Sequence, residues 1–187
     1  MTDPRCTQAP TGSAAQAAAR LADLVPGAKG NRVRLRAPRL ADLPAWTEIF
    51  AQWPSGPYTA ETAYEQFCTY VAGWLLHGHG LWSVDRLSDG ELLGFVHLGL
   101  EWDDVEPELG WMFRPEHRGE GYATEAAALA RAHGTSLLGA GGFVSYVAAD
   151  NAPSNALAQR LGAQRDPDAE ATIGEPDLHV WRHGVRP

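Results

Sequence analysis

Cysteine is scarce in this sequence, with two residues, Cys6 and Cys68, among 187. Two thiols do not form the pattern of the disulfide frameworks that small secreted domains use. The sequence also lacks a run of eighteen apolar residues, so no segment predicts a membrane-spanning helix. The alanine-rich N-terminal stretch contains Gln16, Arg20 and Asp23 and lacks the continuous apolar core of a secretion signal. We therefore expect a cytoplasmic protein with no membrane partner.

Positive charge is also in short supply. There are 15 Lys and Arg residues against 23 Asp and Glu residues, which gives a formal net charge of -8. A nucleic acid is not an expected partner, because its phosphate backbone would be repelled. A cationic substrate would be attracted instead.

Clustered metal ligands are missing as well. The histidine pairs His77/His79 and His179/His183 have helical or strand spacing, but neither is accompanied by a third ligand. A bound zinc ion needs at least three protein ligands, so the sequence predicts no metal site.

The order of periodic segments predicts one domain. Residues 1–30 are rich in Ala, Pro, Gly and Thr and predict a tail, partly helical from Ala14 to Leu24. Residues 31–187 show alternating patterns of strands and 3.6-residue patterns of helices, in the order β-α-α-β-β-β-α-β-α-β. Asp89-Gly90 marks a hairpin between two of the strands. This order is typical of a mixed α/β domain with helices covering a sheet.

A glycine pair joins a predicted strand to a predicted helix. In the segment Gly119-Glu120-Gly121 no Cβ atom keeps a ligand from the backbone N–H groups. The helix that follows directs its positive N-terminus to the same place, and His117 and Arg118 add side-chain donors. Such a turn is suited to a pyrophosphate group.

The residues around the glycine pair indicate which pyrophosphate-containing ligand the turn would bind. Thr124 stands where the dinucleotide motif G-x-G-x-x-G needs its third glycine, and G-x-x-x-x-G-K-[ST] is absent. The segment RPEHRGEGYATEAAAL instead resembles the coenzyme A motif of the GNAT superfamily, in particular its RimJ/RimL-type ribosomal-protein acetyltransferases. RVRLRAPRLADLPAW and AADNAPSNALAQRLGA are similar to the opening and closing elements of that family, so the resemblance covers residues 31–183.

The resemblance implies the GNAT fold, a mixed and mostly antiparallel sheet with helices on both faces. It also implies acetyl-CoA as cosubstrate, with its pantetheine arm on backbone groups of one strand and its pyrophosphate on the glycine turn. The implied coenzyme-binding residues are Met112, Phe113, Arg114, His117, Arg118, Gly119, Glu120, Gly121, Tyr122, Ala123, Thr124 and Asn151. Proteins of this kind are often homodimers.

Two positions depart from the family pattern. Glu116 stands where Gln or Arg is usual, and Ala158 stands where many members have a tyrosine that protonates the leaving thiolate. We expect Glu108 to act as the general base and Ser154 to reprotonate the thiolate. The alternative roles are a solvated strand carboxylate for Glu108 and a helix cap for Ser154.

The function implied is transfer of an acetyl group from acetyl-CoA to a primary amine, either a protein α-amine or a small-molecule amine. The alternative is a coenzyme A-binding sensor without catalysis. Loops at residues 53–58 and 166–177 are expected to form walls of the acceptor site, because loops beside a sheet usually select the substrate. The acidic residues at 101, 103, 104 and 106 are expected to raise the pKa of Glu108.

Overall fold

A single twisted sheet organises the chain in the computed structural model, which describes residues 4–53, 58–139 and 142–184. Its strands are β1 (Ala28–Lys29), β2 (Val33–Arg36), β3 (Leu81–Arg86), β4 (Leu92–Gly99), β5 (Glu108–Phe113), β6 (Val144–Ala148), β7 (Gln164–Arg165) and β8 (Leu178–Arg182). They lie in the order β1-β2-β3-β4-β5-β6-β8-β7. The pair β5 and β6 is parallel and the other pairs are antiparallel.

Helices cover both faces of this sheet. They are α1 (Gly12–Ala22), α2 (Leu43–Phe50), α3 (Ala60–Leu76), α4 (Tyr122–Leu138), α5 (Ala152–Arg160) and α6 (Pro167–Ile173). Helices α2 and α3 pack around Trp46 and Phe95 on one face. Helix α4 packs on the other face, where Ala126 and Ala130 are fully buried and allow a close approach to the strands. The predicted mixed, mostly antiparallel architecture is confirmed.

A buried ion network joins β2 to β3 and to the residue that precedes α2. Asp42 accepts hydrogen bonds from Arg36 Nη1 at 2.7 Å and from Ser83 Oγ at 2.7 Å. Asp85 accepts from Arg36 Nε at 2.8 Å and from Arg34 Nη2 at 2.8 Å. Both carboxylates are buried, so these donors replace part of the water that the charges have lost, while Asp85 Oδ1 has no hydrogen-bond partner among the described residues.

The structure changes the expected boundary of the N-terminal tail. Helix α1 begins and ends two residues earlier than predicted, and none of its residues is buried. Val25 packs against the core, however, and the Pro26 carbonyl accepts a 2.7 Å hydrogen bond from Trp82 Nε1. Because β1 then pairs with β2, residues from Val25 onward belong to the domain.

The expected loop at residues 166–177 contains helix α6. The Asp166 side chain accepts a 3.1 Å hydrogen bond from the Ala169 N–H, and Pro167 occupies the first helical position. This capping signal was present in the sequence and was missed. In the described part of the chain, none of the helices is long and apolar enough to cross a membrane.

Candidate active site

A cavity of about 270 Å³ lies where β5 and β6 separate. The two strands share a single register pair, Glu108 with Val144, and diverge beyond it. Ser145 of β6 links the two strands beside this pair, because its Oγ donates to the Leu109 carbonyl of β5 and lies 2.8 Å from His183 Nε2. The described residues that line the cavity are Trp53, Tyr70, His97, Glu101, Glu108, Leu109, Gly110, Trp111, Met112, Ser145, Tyr146, Val147, Ala148, Asn151 and Ser154.

The separation of the strands leaves one edge of β5 open. The Arg114 N–H donates to the Leu93 carbonyl of β4 at 3.1 Å. In an antiparallel pair, successive residues direct their backbone N–H and C=O groups alternately to one neighbouring strand and to the other side. The backbone groups of Met112 therefore also point to β4, whereas those of Trp111 and Phe113 point to the cavity edge. The Met112 and Arg114 backbone groups expected to meet a pantetheine arm are therefore directed to β4, and the backbone groups at the open edge belong to Trp111 and Phe113.

The glycine turn presents unused backbone donors. Gly119 and Gly121 have φ values of +81° and +82°, a conformation that favours glycine. Within the described residues, no acceptor bonds the backbone N–H groups from Gly119 to Thr124. The N–H groups of His117 and Arg118 instead donate to Arg114 and Pro115 carbonyls at 3.0 and 3.2 Å. The predicted anion-binding turn thus begins at Gly119, two residues later than expected.

The side chains before the turn support the loop. His117 is buried, with Nε2 3.3 Å from Glu91 Oε1 but without a hydrogen-bond partner among the described residues, so a role as donor to a ligand stays a prediction. Arg118 Nε donates to the Phe113 carbonyl at 2.9 Å, and its exposed guanidinium keeps further donors. Glu116, the departure from the family pattern, pairs with Arg114 at 2.7 Å. Arg114 also contacts Glu48 of α2 at 3.3 Å, so its charge is already balanced by two carboxylates.

Arg32 is a supporting residue that sequence reasoning missed. Its guanidinium donates to the Glu120 carbonyl at 3.0 Å and to Glu125 at 3.0 Å, and it lies 4.7 Å from the centre of the Tyr122 ring. A Cβ at Gly121 would meet Arg32 Nη2 at 3.3 Å. Arg32 immediately precedes β2, and the alternating pattern of that strand carried no signal of this contact.

Glu108 lies in the cavity wall and is half-buried. Burial raises its pKa from 4.5 to about 8, and the charges of Glu101 and Asp104 contribute in the same direction. The backbone N–H of Tyr146 opposes part of this rise. Two of the four expected acidic residues therefore act on the pKa of Glu108, whereas Glu106 is paired with Arg182 at 2.7 Å.

His97 is a second cavity residue that sequence reasoning missed. Its ring stacks on Tyr70 with centres 4.1 Å apart, and the Tyr70 hydroxyl donates to Glu101. A Cβ at Gly99 would lie 2.3 Å from His97 Nε2, so only glycine leaves room for the imidazole. Burial, followed by the charge of His79, lowers the pKa of His97 to about 3. The imidazole is therefore neutral at physiological pH.

Asn151 and Ser154 line the other end of the cavity. Asn151 caps α5, because its Oδ1 accepts a 3.2 Å hydrogen bond from the Ser154 N–H. Ser154 is thus not the cap, and its Oγ accepts from Trp111 Nε1 at 3.3 Å. Ala158 is fully buried among Val147, Ala163 and Trp181, so its position faces the core and not the cavity.

Two remaining expectations concern loops and metals. Trp53, at the start of the expected substrate loop, lines the cavity, and residues 54–57 lie outside the described residues. Residues of α6 do not occur among the described lining residues, so this segment is not a wall of the cavity. Between residues 4 and 184, apart from 54–57 and 140–141, no group of three His, Cys, Asp or Glu side chains is arranged to hold a metal ion.

Known proteins are similar to this chain in sequence and fold. The family model described as the acetyltransferase (GNAT) domain matches residues 32–164. Among curated proteins, the chain is similar to the uncharacterized N-acetyltransferase YoaA of Bacillus subtilis (strain 168), with 30% identity over 86 residues. That match includes 46% of this chain and 49% of YoaA, so it spans about half the length of the relative.

Solved structures extend the comparison to the whole domain. An acetyltransferase from Agrobacterium tumefaciens str. C58 has a TM-score of 0.78 and 33% identity, with 86% of this chain and 95% of that chain covered. RimL, a ribosomal L7/L12 alpha-N-protein acetyltransferase solved with coenzyme A, has a TM-score of 0.63 and 16% identity, with coverage of 86% and 97%. At that identity RimL shows the shared fold alone. With most of its domain matched by the family model, the chain belongs to the acetyltransferase (GNAT) family.

Proposed function

We propose that this protein transfers the acetyl group of acetyl-CoA to a primary amine, either a protein α-amine or a small-molecule amine. The observation that carries the proposal is the continuity between the open edge of β5, the unused N–H groups from Gly119 to Thr124, and the cavity that contains Glu108. A pantetheine arm fits the edge as an added strand, with Trp111 and Phe113 as its partners. The pyrophosphate fits the N-terminus of α4.

Glu108 is suited to prepare the nucleophile. An amine must lose a proton before its nitrogen can attack the thioester carbonyl, and a carboxylate with a pKa near 8 is a stronger base than an ordinary one. Glu108 takes that proton directly or through one water. The new C–N bond then forms as the C–S bond breaks, and the thiolate leaves with the electron pair of that bond.

Ser154 is placed to return a proton to the thiolate. Its Oγ accepts from the Trp111 indole, which leaves the hydroxyl hydrogen free to point into the cavity. Ala158 is buried in the core, so the position of the usual family tyrosine supplies no competing acid. The backbone N–H groups at the β5 edge are suited to stabilise the developing oxyanion.

A thiol-release assay with a panel of amines tests this function. We expect acetyl-CoA-dependent release above hydrolysis with at least one amine, and loss of about 100-fold or more of that rate in Glu108→Gln, the usual range for a general base. The matched control is Glu61→Gln, an exposed carboxylate in the first turn of α3. If acetyl-CoA binds by calorimetry but no amine gives release, the chain is a coenzyme-binding sensor. If acetyl-CoA does not bind, both functions are excluded.

A further inference from the structure

The acceptor half of the cavity has an uneven charge. Glu101 and Glu108 contribute carboxylates to its wall, and no Lys or Arg occurs among the described lining residues. The nearest arginine along β5, Arg114, is already paired with Glu48 and Glu116. At neutral pH a ligand carboxylate would therefore meet the charge of Glu101 and no cation among these residues, whereas an ammonium group would meet the Glu101 carboxylate and the Glu108 carboxyl group.

Among the described lining residues, His97 is the one side chain that can carry a positive charge. It is 3% exposed, and no hydrogen bond joins its ring nitrogens to another described residue. Its pKa near 3 keeps the ring neutral whenever the protein is above about pH 4. The imidazole can therefore offer a hydrogen bond to a bound molecule but cannot neutralise a carboxylate there.

Aromatic rings complete this end of the cavity. Tyr70 donates to Glu101, the Tyr146 backbone N–H bonds Glu108, and Trp111 and Trp53 also line the cavity. Ring faces attract cations and pack against apolar skeletons. Together with the carboxylates they favour an ammonium group carried on an apolar or aromatic skeleton.

We infer that the acceptor is an amine with no carboxylate beside the reacting nitrogen, such as an aralkylamine or the first residue of a peptide, and that free α-amino acids are excluded. The inference rests on the proposed function, because it concerns the acceptor of that same reaction. Glu101 acts as a specificity-determining residue in it, since its exposed carboxylate stands at the cavity and is anchored by the Tyr70 hydroxyl.

Phenethylamine and L-phenylalanine provide the matched test. They share one aromatic skeleton. The amine of phenethylamine is at least as basic as that of phenylalanine, so its unprotonated fraction at a given pH is no larger and gives it no advantage. We expect kcat/KM for phenethylamine to exceed that for phenylalanine by about tenfold or more, the effect of one unfavourable charge contact. In Glu101→Gln this ratio should fall to about threefold or less because one repelling charge is gone. Glu175→Gln, an exposed carboxylate outside the cavity, should leave the ratio unchanged.

Two turnover results would overturn the inference while the proposed function stands. One is equal or better turnover of phenylalanine. The other is a ratio that Glu101→Gln does not change. If neither compound is acetylated but another amine is, both are measured as competitive inhibitors of that amine, and tighter inhibition by phenylalanine also overturns the inference. Absence of thiol release with every amine overturns the proposed function itself, and the acceptor inference with it.

Discussion

Arg32 and Glu125 form a two-point contact across 93 residues of sequence. The Arg32 backbone N–H donates to Glu125 Oε1 at 2.8 Å, and its Nε donates to Oε2 at 3.0 Å. The same guanidinium donates to the Glu120 carbonyl. The start of β2 is thereby joined to the first turn of α4, next to the unused backbone N–H groups from Gly119 to Thr124.

The first prediction follows from this contact. Arg32→Ala should weaken binding of coenzyme A by about 3- to 10-fold, the worth of a partly exposed ion pair with extra hydrogen bonds. The value of kcat should change little, because Arg32 does not line the cavity. Calorimetry with coenzyme A and steady-state kinetics measure the two quantities.

Arg20→Ala serves as the control, because Arg20 is exposed on α1. Equal affinity of Arg32→Ala and wild type would show that the turn keeps its shape without the contact.

The second prediction concerns pH. With a pKa of about 8, Glu108 is mostly protonated at pH 7. We therefore expect kcat/KM to rise with pH up to about 8 and then to level off. In Glu108→Gln the rising part of this pH profile should disappear. A rising limb with the same midpoint in the variant would assign it to the amine substrate and not to Glu108.

The third prediction is the stability consequence of the same group. The folded-state pKa of Glu108, about 8, lies above its ordinary value of 4.5, so the folded chain holds the proton more tightly than the unfolded chain. The stabilising contribution is complete below about pH 4.5 and is lost as the pH rises through 8. Glu108→Gln should therefore have a higher Tm than wild type at pH 9. Thermal unfolding at pH 6 and pH 9 checks this, and a lower Tm for the variant at pH 9 would contradict it.

The fourth prediction concerns the buried network of Asp42. Burial opposes ionisation there, but hydrogen bonds from Arg36 and Ser83 outweigh it and hold the pKa of Asp42 below its ordinary value. Its stabilising contribution is therefore present above about pH 4 and is lost as the pH falls further. Asp42→Asn leaves Arg36 underpaired and should lower the free energy of unfolding by about 3–5 kcal/mol at pH 7.

Urea denaturation measures this loss. Asp103→Asn, an exposed residue of the acidic loop, should change the unfolding free energy by less than about 0.5 kcal/mol. A loss in Asp42→Asn as small as that in the control would mean that the network adds no net stability.

The fifth prediction separates the tail from the domain. Deletion of residues 1–24 should leave the Tm and coenzyme A affinity close to those of the full chain, because α1 buries no residue. Deletion of residues 1–30 should lower the Tm, since it removes β1 and the carbonyl that accepts from Trp82. Melting curves of the two truncated proteins, measured in parallel, locate the boundary between tail and domain. Equal Tm values for the two would place that boundary at residue 30.

Local sequence patterns were sufficient for most elements of this fold. The alternation at Val33 and Leu35, the Asp89-Gly90 turn and the glycine pair each determine a conformation through short-range sterics and hydrogen bonding. Helix α6 was missed, although Asp166-Pro167 carries a capping signal, because the surrounding Gly and Pro residues indicated a loop. The shift of the unused N–H groups to Gly119 depends on a short 3-10 turn from Pro115 to His117 that periodicity does not report.

The sequence by itself therefore determined the order of the elements, the glycine turn and the family resemblance, since each depends on neighbours within a few residues. Only the tertiary structure decided which edge of β5 is open, that Arg32 supports the turn, and that His97, Glu101 and Glu108 share one cavity. Those relations join residues from separate elements. They arise from the pairing and divergence of strands, and burial then sets the pKa values that no local pattern contains.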